Sequence, residues 1–447
     1  MGPLIWPEWK GASVNLYRLL QKRAAAGRPV RVGLIGAGKF GSMFLSQVPT
    51  TPGLEVAVIA DLAPDRAREA CRRVGWDEAL IAATRFTDNS MTMMEAADVE
   101  VVVEATGHAP AGVAHARKAI REGKHIVMVN VEADVLAGPL LAREAEAAGV
   151  VYTMAYGDQP ALICELVDWA RSCGFNVIAA GKGTKYMPEY HASTPDTVWG
   201  FYGLTPEQAK IGGMNPQMFN SFLDGTKSGI EMAAVANATG LTPPPDGLAF
   251  PPCGTHELAD VLRPGNLGAL HHSGQVEVIS SVHRDGSPVA NDLRWGVYVA
   301  FEAPNEYAMR CFQEYGVVTD PTGRVTALYR PFHLIGLELN VSILSAALRG
   351  EPTGVASGFR GDVVSTAKRD LKAGEMLDGE GGGCVWGKLM TASDSLRVGG
   401  LPIGLANRVK LIRNVQQGQP VTWADVAMDN SESTYQYRRA MEAAFAA

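Results

Sequence analysis

The sequence predicts an α/β protein with an N-terminal Rossmann dinucleotide-binding domain, an α+β substrate domain and a small, mostly-β C-terminal domain. Over the first 155 residues, short apolar runs alternate with helical segments, which is typical of a parallel sheet covered by helices. A G-x-G-x-x-G pattern lies between the first run and the following helix. After about residue 157 this alternation stops, and from residue 351 glycine becomes frequent. The predicted domains therefore span 1–155, 156–350 and 351–447.

Composition excludes several classes of protein. The 447 residues are 47% hydrophobic and 19% charged, enough for two to four domains with their own cores. With 40 basic and 47 acidic residues, the net charge of −7 favours neither nucleic acid nor an anionic membrane. No apolar run reaches the roughly 18–20 residues of a spanning helix, and residues 1–11 lack the layout of a signal peptide. Six cysteines without a CxxC pair favour neither a disulfide scaffold nor a zinc site. We expect a cytoplasmic globular enzyme.

The first domain is predicted to begin with a helix and to continue as alternating strands and helices. The helix covers 13–25, where apolar residues recur at helical spacing. Apolar runs then predict strands over 30–35, 54–60, 99–103, 125–129 and 150–154. Helices are expected over 42–48 and 63–74, with alanine-rich helices between the later strands.

The middle and last domains follow a different pattern. Helices are predicted over 160–173, 228–239 and 330–349, with a strand over 176–180. Alternating runs over 276–282 and 293–301 flank Asp285-Gly286 and predict an antiparallel hairpin with a long turn. The last domain is expected to consist of short strands and turns, and it contains two similar phrases at 367–375 and 411–419.

The glycine motif carries the strongest functional prediction. Gly36 allows a tight turn, Gly38 lets a pyrophosphate approach the backbone, and Gly41 lets the helix pack closely on the strand. The next strand ends at Asp61, about 20 residues on, where a carboxylate would bond the adenosine ribose. Asp61 favours NAD because it repels a 2′-phosphate, although Arg66 could offset this repulsion, so the choice of cofactor stays open. The residues predicted to contact the cofactor are Gly36, Gly38, Lys39, Phe40, Gly41, Asp61, Glu104, Ala105, Thr106 and Gly107.

The segment 104–107 follows the third long apolar run, at the edge of the sheet where ligands bind in open α/β folds. It is expected to line the nicotinamide, the alternative being an ordinary helix-start loop. Asn130, Glu132 and Asp134 follow the next strand at the same edge, and they would either contact substrate or cap a helix.

Two further clusters are candidates for substrate chemistry. Lys182 and Lys185 suit an anionic substrate, phosphate or carboxylate, and a solvated loop is the alternative. Asp224, Lys227 and Glu231 are spaced i, i+3, i+7 and would share one helix face if the helix began at Asp224. Such a cluster suits a proton relay, or a metal-bound hydroxyketone, but equally a surface row of ion pairs.

A cation and an imidazole, Arg330 and His333, are predicted at the start of an otherwise apolar helix. They would bind substrate, although a satisfied core or capping histidine is the commoner case.

Several motifs resemble a known family. VGLIGAGKFG at 32–41, VEATG at 103–107 and DGTK at 224–227 resemble the homoserine dehydrogenase superfamily. The strings RVGLIGAGKFGSMFLSQVP, RPFHLIGLE and LPIGLANRVKL resemble, over nearly the whole chain, an offshoot of that superfamily, the reductoisomerase-like (type II) 1-deoxy-D-xylulose 5-phosphate reductoisomerases. The last string lies in a region similar to the SAF module.

The resemblance implies a nicotinamide-dependent enzyme, in which 156–350 serves both substrate binding and dimerisation of a homodimer. It implies NADP(H) in preference to NAD(H), a small phosphorylated or carboxylate substrate, and Mg²⁺ or Mn²⁺ as a further candidate without identified ligands. Lys227 and Asp224 correspond to proton-transferring residues of homoserine dehydrogenases, and Glu231 could hold a metal or relay the proton. A second catalytic lysine of those enzymes is replaced here by Val131, which argues against homoserine as substrate.

Three functions follow from these observations. The leading hypothesis is conversion of 1-deoxy-D-xylulose 5-phosphate to 2-C-methyl-D-erythritol 4-phosphate, with Lys182, Lys185 and Arg330 holding the phosphate. The second is an NAD-dependent dehydrogenase or oxidoisomerase of a branched sugar acid or hydroxy acid. The third is a non-catalytic, nucleotide-sensing protein.

Overall fold

The computed structural model describes residues 15–446. The first part of the chain forms a six-stranded, all-parallel sheet in the order β3-β2-β1-β4-β5-β6, which is the order of a Rossmann fold. Its strands are β1 Val30–Ile35, β2 Leu54–Ala60, β3 Arg85–Thr87, β4 Val101–Glu104, β5 His125–Met128 and β6 Tyr152–Met154. Its helices are α1 Leu16–Ala25, α2 Lys39–Gln47, α3 Pro64–Arg73, α4 Glu78–Ala83, α5 Ser90–Met94, α6 Ala109–Arg121 and α7 Val131–Ala147. The predicted N-terminal Rossmann domain is confirmed.

Helices cover both faces of this sheet, which is why its strands are almost continuous runs of apolar residues. Val32 and Leu34 of β1 are fully buried and pack with Phe44 of α2, as expected for a central parallel strand. The helix after the glycine turn begins at Lys39, three residues earlier than predicted, because the extended backbone of Gly38 already serves as its N-cap. Residues 1–14 lie outside the described residues. They include the start of the first predicted helix and the N-terminal segment that was predicted not to be a signal peptide.

The second part of the chain forms a mixed four-stranded sheet in the order β10-β9-β7-β8. Its elements are α8 Gln159–Ser172, β7 Asn176–Thr184, α9 Val198–Tyr202, α10 Pro206–Ile211, α11 Pro216–Leu223, α12 Thr226–Thr239, α13 Leu258–Val261, β8 Gln275–Ser280, β9 Val297–Glu302, α14 Glu306–Glu314, β10 Val325–Arg330 and α15 Asn340–Arg349. The predicted hairpin is wrong, because β7 lies between β8 and β9, parallel to the first and antiparallel to the second. The chain between β8 and β9 crosses β7 at Gly183, where a Cβ would lie 1.9 Å from the carbonyl oxygen of Leu293.

The predicted helix over 330–349 is also wrong in its first half. Arg330 ends β10, and Pro331 follows it without an amide hydrogen to continue a helix or a ladder. The chain then turns at Gly336, whose φ of +79° favours glycine, and α15 begins only at Asn340. Ile343 of α15 packs in the core of the first sheet, so this helix brings the second part of the chain back to the Rossmann domain.

Helix α12 is buried on nearly all sides and lies where the three regions of the chain meet. It contacts α7 of the first region, α8 of the second, and the C-terminal strands described below. Gly225, with a φ of +89°, separates the end of α11 from the start of α12 at Thr226. The interpretation that Asp224, Lys227 and Glu231 share one helix face is therefore wrong for Asp224, which lies before the helix. Lys227 and Glu231 are one turn apart on α12.

The C-terminal region contains two small antiparallel sheets, β11-β13 and β12-β14-β15. Its elements are β11 Gly361–Ala367, β12 Met376–Asp378, β13 Val385–Thr391, α16 Ala392–Val398, β14 Asn407–Leu411, β15 Val426–Ala427 and α17 Ser433–Phe445. The predicted short strands are present, and the region also contains two helices, α16 and α17, that the sequence patterns did not indicate. The two similar phrases run antiparallel, with Leu371 and Val415 exchanging both backbone hydrogen bonds at 2.8 and 3.0 Å. Across residues 15–446, no helix combines the length and apolar character needed to cross a membrane.

Candidate active site

The glycine turn has the geometry that a dinucleotide requires. A Cβ on Gly36 would lie 2.8 Å from the carbonyl oxygen of Ala105, and one on Gly41 would lie 2.2 Å from the carbonyl oxygen of Gly36. Both positions therefore need glycine for close packing of the turn. A Cβ on Gly38 would have no atom within 4 Å. The open space above Gly38, at the N-terminus of α2, suits the pyrophosphate of a dinucleotide.

Asp61 lies beside this turn. Its Oδ2 accepts a hydrogen bond from the amide of Ala37 at 3.0 Å, and its Oδ1 accepts one from Ala63 at 2.9 Å. These bonds fix the carboxylate at the end of β2, in the place expected for a ribose contact. Arg66 approaches Oδ1 at 3.5 Å, and its side chain is 78% exposed.

The segment 104–107 surrounds a buried carboxylate. Glu104 is fully buried, and its Oε1 accepts a hydrogen bond from Thr106 Oγ1 at 2.5 Å and lies 3.2 Å from His115 Nδ1. His115 Nε2 in turn lies 2.8 Å from Ser90 Oγ. Glu104 thus supports the loop from below, whereas Ala105, Thr106 and Gly107 form its accessible surface.

Lys227 is the cation of an acidic cluster between the Rossmann sheet and α12. Its Nζ forms an ion pair with Glu132 Oε1, at the start of α7. Burial lowers the pKa of Lys227, but the negative charges of Glu132, Glu231 and Asp158 outweigh burial and raise it overall. The ammonium is therefore charged at neutral pH. It lies at the carboxyl edge of the sheet, where ligands bind in this fold.

Lys182 and Glu231 form the neighbouring buried pair. Lys182 Nζ donates to Glu231 Oε2 and, at 2.8 Å, to Gln159 Oε1. The two side chains are only 8% and 5% exposed, so the charge of Lys182 is already compensated inside the protein. Lys182 is therefore a buried residue beside the site, and its ion pair orients the carboxylate of Glu231.

Asp158 belongs to the same cluster and was not among the predicted residues. It is the N-cap of α8, and its Oδ1 accepts the amide of Gln159 at 2.9 Å. Burial and the charge of Glu231 raise the pKa of Asp158 to about 6, against the opposing charges of Lys227 and His333. A carboxyl group with this pKa can both accept and return a proton near neutral pH.

Asp224 is engaged by a lysine of the C-terminal region. Lys368 Nζ donates to Asp224 Oδ2 at 2.8 Å and to the carbonyl oxygens of Ser193 and Gly382 at 2.6 and 2.7 Å. Asp224 Oδ1 accepts a hydrogen bond from the backbone N–H of Thr226, the first residue of α12, at 2.9 Å. Burial raises the pKa of Asp224, and Lys368 opposes this shift. Asp224 joins the C-terminal region to the start of α12.

His191 lies beside this junction in one defined tautomer. Its Nδ1 donates to the carbonyl oxygen of Asp224 at 2.7 Å, so Nε2 accepts from the Tyr186 hydroxyl at 2.9 Å. Burial lowers the pKa of His191 to about 4, which keeps the ring neutral. The ring stacks on Trp386 of the C-terminal region, with centroids 3.9 Å apart.

The remaining predicted substrate residues differ in how much of their charge is available. Lys185 Nζ donates to the carbonyl oxygen of Phe201 at 2.8 Å, and burial together with the charge of Arg294 lowers its pKa. Arg330 forms an ion pair with Glu338. His333 Nδ1 donates to the carbonyl oxygen of Trp295 at 2.7 Å, and its charge acts on Asp158. Lys185 thus has a second cation as neighbour, whereas Arg330 is paired with a carboxylate.

The carboxylates of the site do not form a metal-binding set. Glu132, Glu231 and Asp224 each pair with a different lysine: Lys227, Lys182 and Lys368. Within residues 15–446, no group of three or more His, Cys, Asp or Glu side chains is arranged to hold a metal ion. The residues that are described do not fit the Mg²⁺ or Mn²⁺ site that the resemblance admits.

The sequence motifs located part of this site and missed the rest. Lys227 and Glu231 were found from their helical spacing, and Glu132 from its place after a strand of the parallel sheet. Asp158 carried a weaker signal, an acidic residue just before Gln159-Pro160 at a helix start. Two residues of the C-terminal region also belong to the surroundings of the site: Lys368, which pairs with Asp224, and Glu380, whose charge acts on Lys227. They carried no signal, because nothing in the spacing shows that this region reaches the site.

Two family models match consecutive parts of the chain. Residues 36–154 match the homoserine dehydrogenase NAD-binding domain, and residues 157–339 match the catalytic domain of the oxidoreductase DRL. The first part of the chain is thus similar to a dinucleotide-binding domain, and the second part is similar to an oxidoreductase catalytic domain. No curated protein matches the chain significantly.

Solved structures resemble the chain only distantly. A homoserine dehydrogenase from Thiobacillus denitrificans is 20% identical over 47% of this chain and 49% of that one, with a TM-score of 0.36. A probable dehydrogenase from Thermotoga maritima is 14% identical over 73% and 91%, with a TM-score of 0.38. A myo-inositol dehydrogenase from Lactobacillus casei is 16% identical over 38% and 50%, with a TM-score of 0.29. The chain spans about half the length of the first of these, and nothing about its reaction follows from them.

Proposed function

We propose that this protein is an NAD(P)H-dependent reductoisomerase that converts 1-deoxy-D-xylulose 5-phosphate to 2-C-methyl-D-erythritol 4-phosphate. The observation that carries the proposal is Lys227, a charged lysine surrounded by carboxylates at the ligand-binding edge of a Rossmann sheet. The matched family models, an NAD-binding domain and an oxidoreductase catalytic domain, support the redox part of the reaction.

The residues around the glycine turn fit a nicotinamide dinucleotide. The open space at Gly38 would take the pyrophosphate, and Asp61 would bond the ribose. The exposed part of the loop, Ala105 to Gly107, would face the nicotinamide. When bound, the reduced cofactor supplies the hydride.

The protein's own side chains would handle the substrate oxygens and the proton. Isomerisation breaks and remakes a C–C bond next to a carbonyl group, and it requires a cation at that oxygen. The Lys227 ammonium supplies the cation. A carboxylate, Glu231 or Asp158, accepts the proton of the hydroxyl on the neighbouring carbon, which becomes the aldehyde, while the former carbonyl oxygen takes a proton from the Lys227 ammonium. The same carboxylate returns its proton to the alkoxide that reduction of the aldehyde forms, and solvent restores the proton of Lys227. Lys182 holds Glu231 in place through its bond to Gln159.

The phosphate of the substrate would bind at Lys185 and Arg294. Burial and the nearby charge of Arg294 lower the pKa of Lys185, so a second cation lies near this lysine. Lys182 and Arg330 are already paired with Glu231 and Glu338. We therefore assign the phosphate to Lys185, with Arg294 as its partner, and the orientation of site carboxylates to Lys182.

The test is loss of NADPH absorbance with purified protein and 1-deoxy-D-xylulose 5-phosphate, with and without Mg²⁺ or Mn²⁺. We expect NADPH oxidation that depends on this substrate and gives the branched polyol phosphate as product. A protein that binds NADPH but does not turn over the substrate in either buffer would contradict the proposal.

The position of Asp61 favours a second candidate function. A carboxylate held by two backbone amides repels the 2′-phosphate of NADP and so favours NAD. A preference for NAD suits an oxidative reaction, namely dehydrogenation or oxidative isomerisation of a branched sugar acid or hydroxy acid. The discriminating assay is NADH formation from NAD with such acids as substrates.

Changing Asp61 tests the cofactor assignment in both candidate reactions. We expect Asp61→Ser to raise the ratio of NADPH affinity to NADH affinity roughly 10-fold, which corresponds to about 1.4 kcal/mol. The reason is that the substitution removes the charge facing the 2′-phosphate and leaves Arg66 next to it. Fluorescence titrations with both cofactors measure the ratio, and Asp65→Ser, on the exposed side chain four residues on, is the control. An unchanged ratio would place the ribose away from Asp61.

A further inference from the structure

The turn that precedes α12 is bound by a lysine of the C-terminal region. Lys368 follows β11, and its Nζ donates to Asp224 Oδ2 at 2.8 Å. Its other two hydrogen bonds go to the carbonyl oxygens of Ser193 and Gly382, at 2.6 and 2.7 Å. All three hydrogens of the ammonium are therefore used. This one buried side chain joins three separate segments of the chain.

A strand of the same region contacts the first turn of α12 directly. The backbone N–H of Gly387, in β13, donates to Thr226 Oγ1 at 2.8 Å. A Cβ on Gly387 would lie 2.9 Å from Thr226 Cγ2, and a Cβ on Gly229 would lie 3.0 Å from the carbonyl oxygen of Gly387. Glycine at these two positions lets the strand and the helix approach each other closely. The C-terminal region thus contacts α12 on both sides of its first residue.

The start of α12 depends on a carboxylate that Lys368 orients. The helix begins after Gly225, which has a φ of +89° and no side chain that could cap it. Asp224 Oδ1 instead accepts the backbone N–H of Thr226 at 2.9 Å. Asp224 is fully buried, and its second oxygen is the acceptor of Lys368. The ion pair with Lys368 therefore fixes the carboxylate that binds the first residue of the helix.

Lys227 follows Thr226 directly in the chain, so any shift of the first turn also moves Lys227. We propose that Lys368 is a positioning residue, through which the C-terminal region sets the place of Lys227 in the active site. The inference rests on the proposed function for the reaction in which Lys227 takes part. Both matched family models end at or before residue 339, so neither includes Lys368.

Hydrogen exchange of the free protein tests these contacts without substrate. Lys368→Met keeps a side chain of similar length and removes the ammonium, so the amides over 224–231 should exchange at least about 10-fold faster than in wild type. Lys372→Met, on an exposed lysine of the same region, should leave them unchanged. In a folded Lys368→Met protein, unchanged exchange over 224–231, or a rise spread evenly over the chain, would overturn the inference.

Kinetics with NADPH and 1-deoxy-D-xylulose 5-phosphate separates positioning from a general loss of structure. Lys368→Met should lower kcat about 100-fold and leave NADPH affinity within about a factor of two of wild type. In a Lys227→Met background, the same change should lower kcat less than about twofold further, because the residue that it misplaces is already absent. A similar loss in both backgrounds would show a structural role only, against the inference.

Two variants of Thr226 test the contact with β13 and do not require Lys368→Met to fold. Thr226→Val keeps the shape of the side chain and removes the acceptor of the Gly387 N–H, whereas Thr226→Ser keeps an acceptor. We expect about 10-fold lower kcat and faster exchange over 224–231 in Thr226→Val, with Thr226→Ser within about threefold of wild type. Equal kcat and equal exchange in the two variants would contradict the inference. If exchange rises as expected but wild type does not turn over the substrate, the proposed reaction is wrong and the positioning of Lys227 stands.

Discussion

Replacing Lys227 by methionine is expected to lower kcat about 1,000-fold, equivalent to about 4 kcal/mol of transition-state stabilisation. Methionine keeps most of the side-chain volume and removes the positive charge that pairs with Glu132. The carbonyl oxygen of a substrate would then face carboxylates without a cation. Cofactor affinity should stay within a factor of two, because the glycine turn and Asp61 lie apart from this substitution.

The measurement is steady-state NADPH oxidation together with a fluorescence titration of NADPH. Lys210→Met is the matched control, since Lys210 is an exposed lysine on α10. Thermal unfolding of both variants shows whether the loss of the Glu132 ion pair also costs stability. A Lys227→Met enzyme with kcat within about threefold of wild type would remove Lys227 from the chemistry.

Much of the Rossmann domain could be predicted because its signals are local. The strands over 30–35 and 54–60 have the predicted ends, since each is an apolar run bounded by a turn residue. The second domain was harder because strand pairing is not a local property. The sequence places the strands over 275–280 and 297–302 next to each other along the chain, but the preceding strand over 176–184 separates them in space.

The candidate site was predictable only where its residues lie on one element. Lys227 and Glu231 occupy successive turns of one helix, and periodicity alone brings them together. Glu380 comes from a loop some 150 residues later, and Lys368 contacts Asp224 across 144 positions of the chain. Such contacts depend on how the C-terminal region packs on α12. No pattern within that region encodes this packing.

The glycine turn gives the second prediction, because its glycines are needed for different reasons. We expect Gly38→Ala to fold normally and to bind NADH and NADPH roughly 100-fold more weakly, a cost of about 2.8 kcal/mol. The backbone at Gly38 has a φ of −69°, which alanine adopts readily, and the new methyl group meets no protein atom within 4 Å. It would occupy the space that the pyrophosphate needs.

Gly41→Ala should instead lower the stability of the protein by about 1–3 kcal/mol. Its Cβ would lie 2.2 Å from a backbone oxygen of Gly36, so α2 must move away from β1. Urea unfolding measures this stability change, and fluorescence titration measures the affinity. Gly358→Ala is the control for both, because that position also has open space around it but lies far along the chain from the turn.

The two alanine variants together distinguish a dinucleotide site from a turn that is glycine-rich for packing alone. In a packing turn, Gly38→Ala would be neutral in every assay, since nothing in the protein fills the space above it. In a dinucleotide site, Gly38→Ala keeps wild-type stability and binds the cofactor more weakly. Gly41→Ala differs, because its main effect is a loss of stability. Wild-type affinity in Gly38→Ala would therefore place the pyrophosphate away from this turn, whatever the stability of Gly41→Ala.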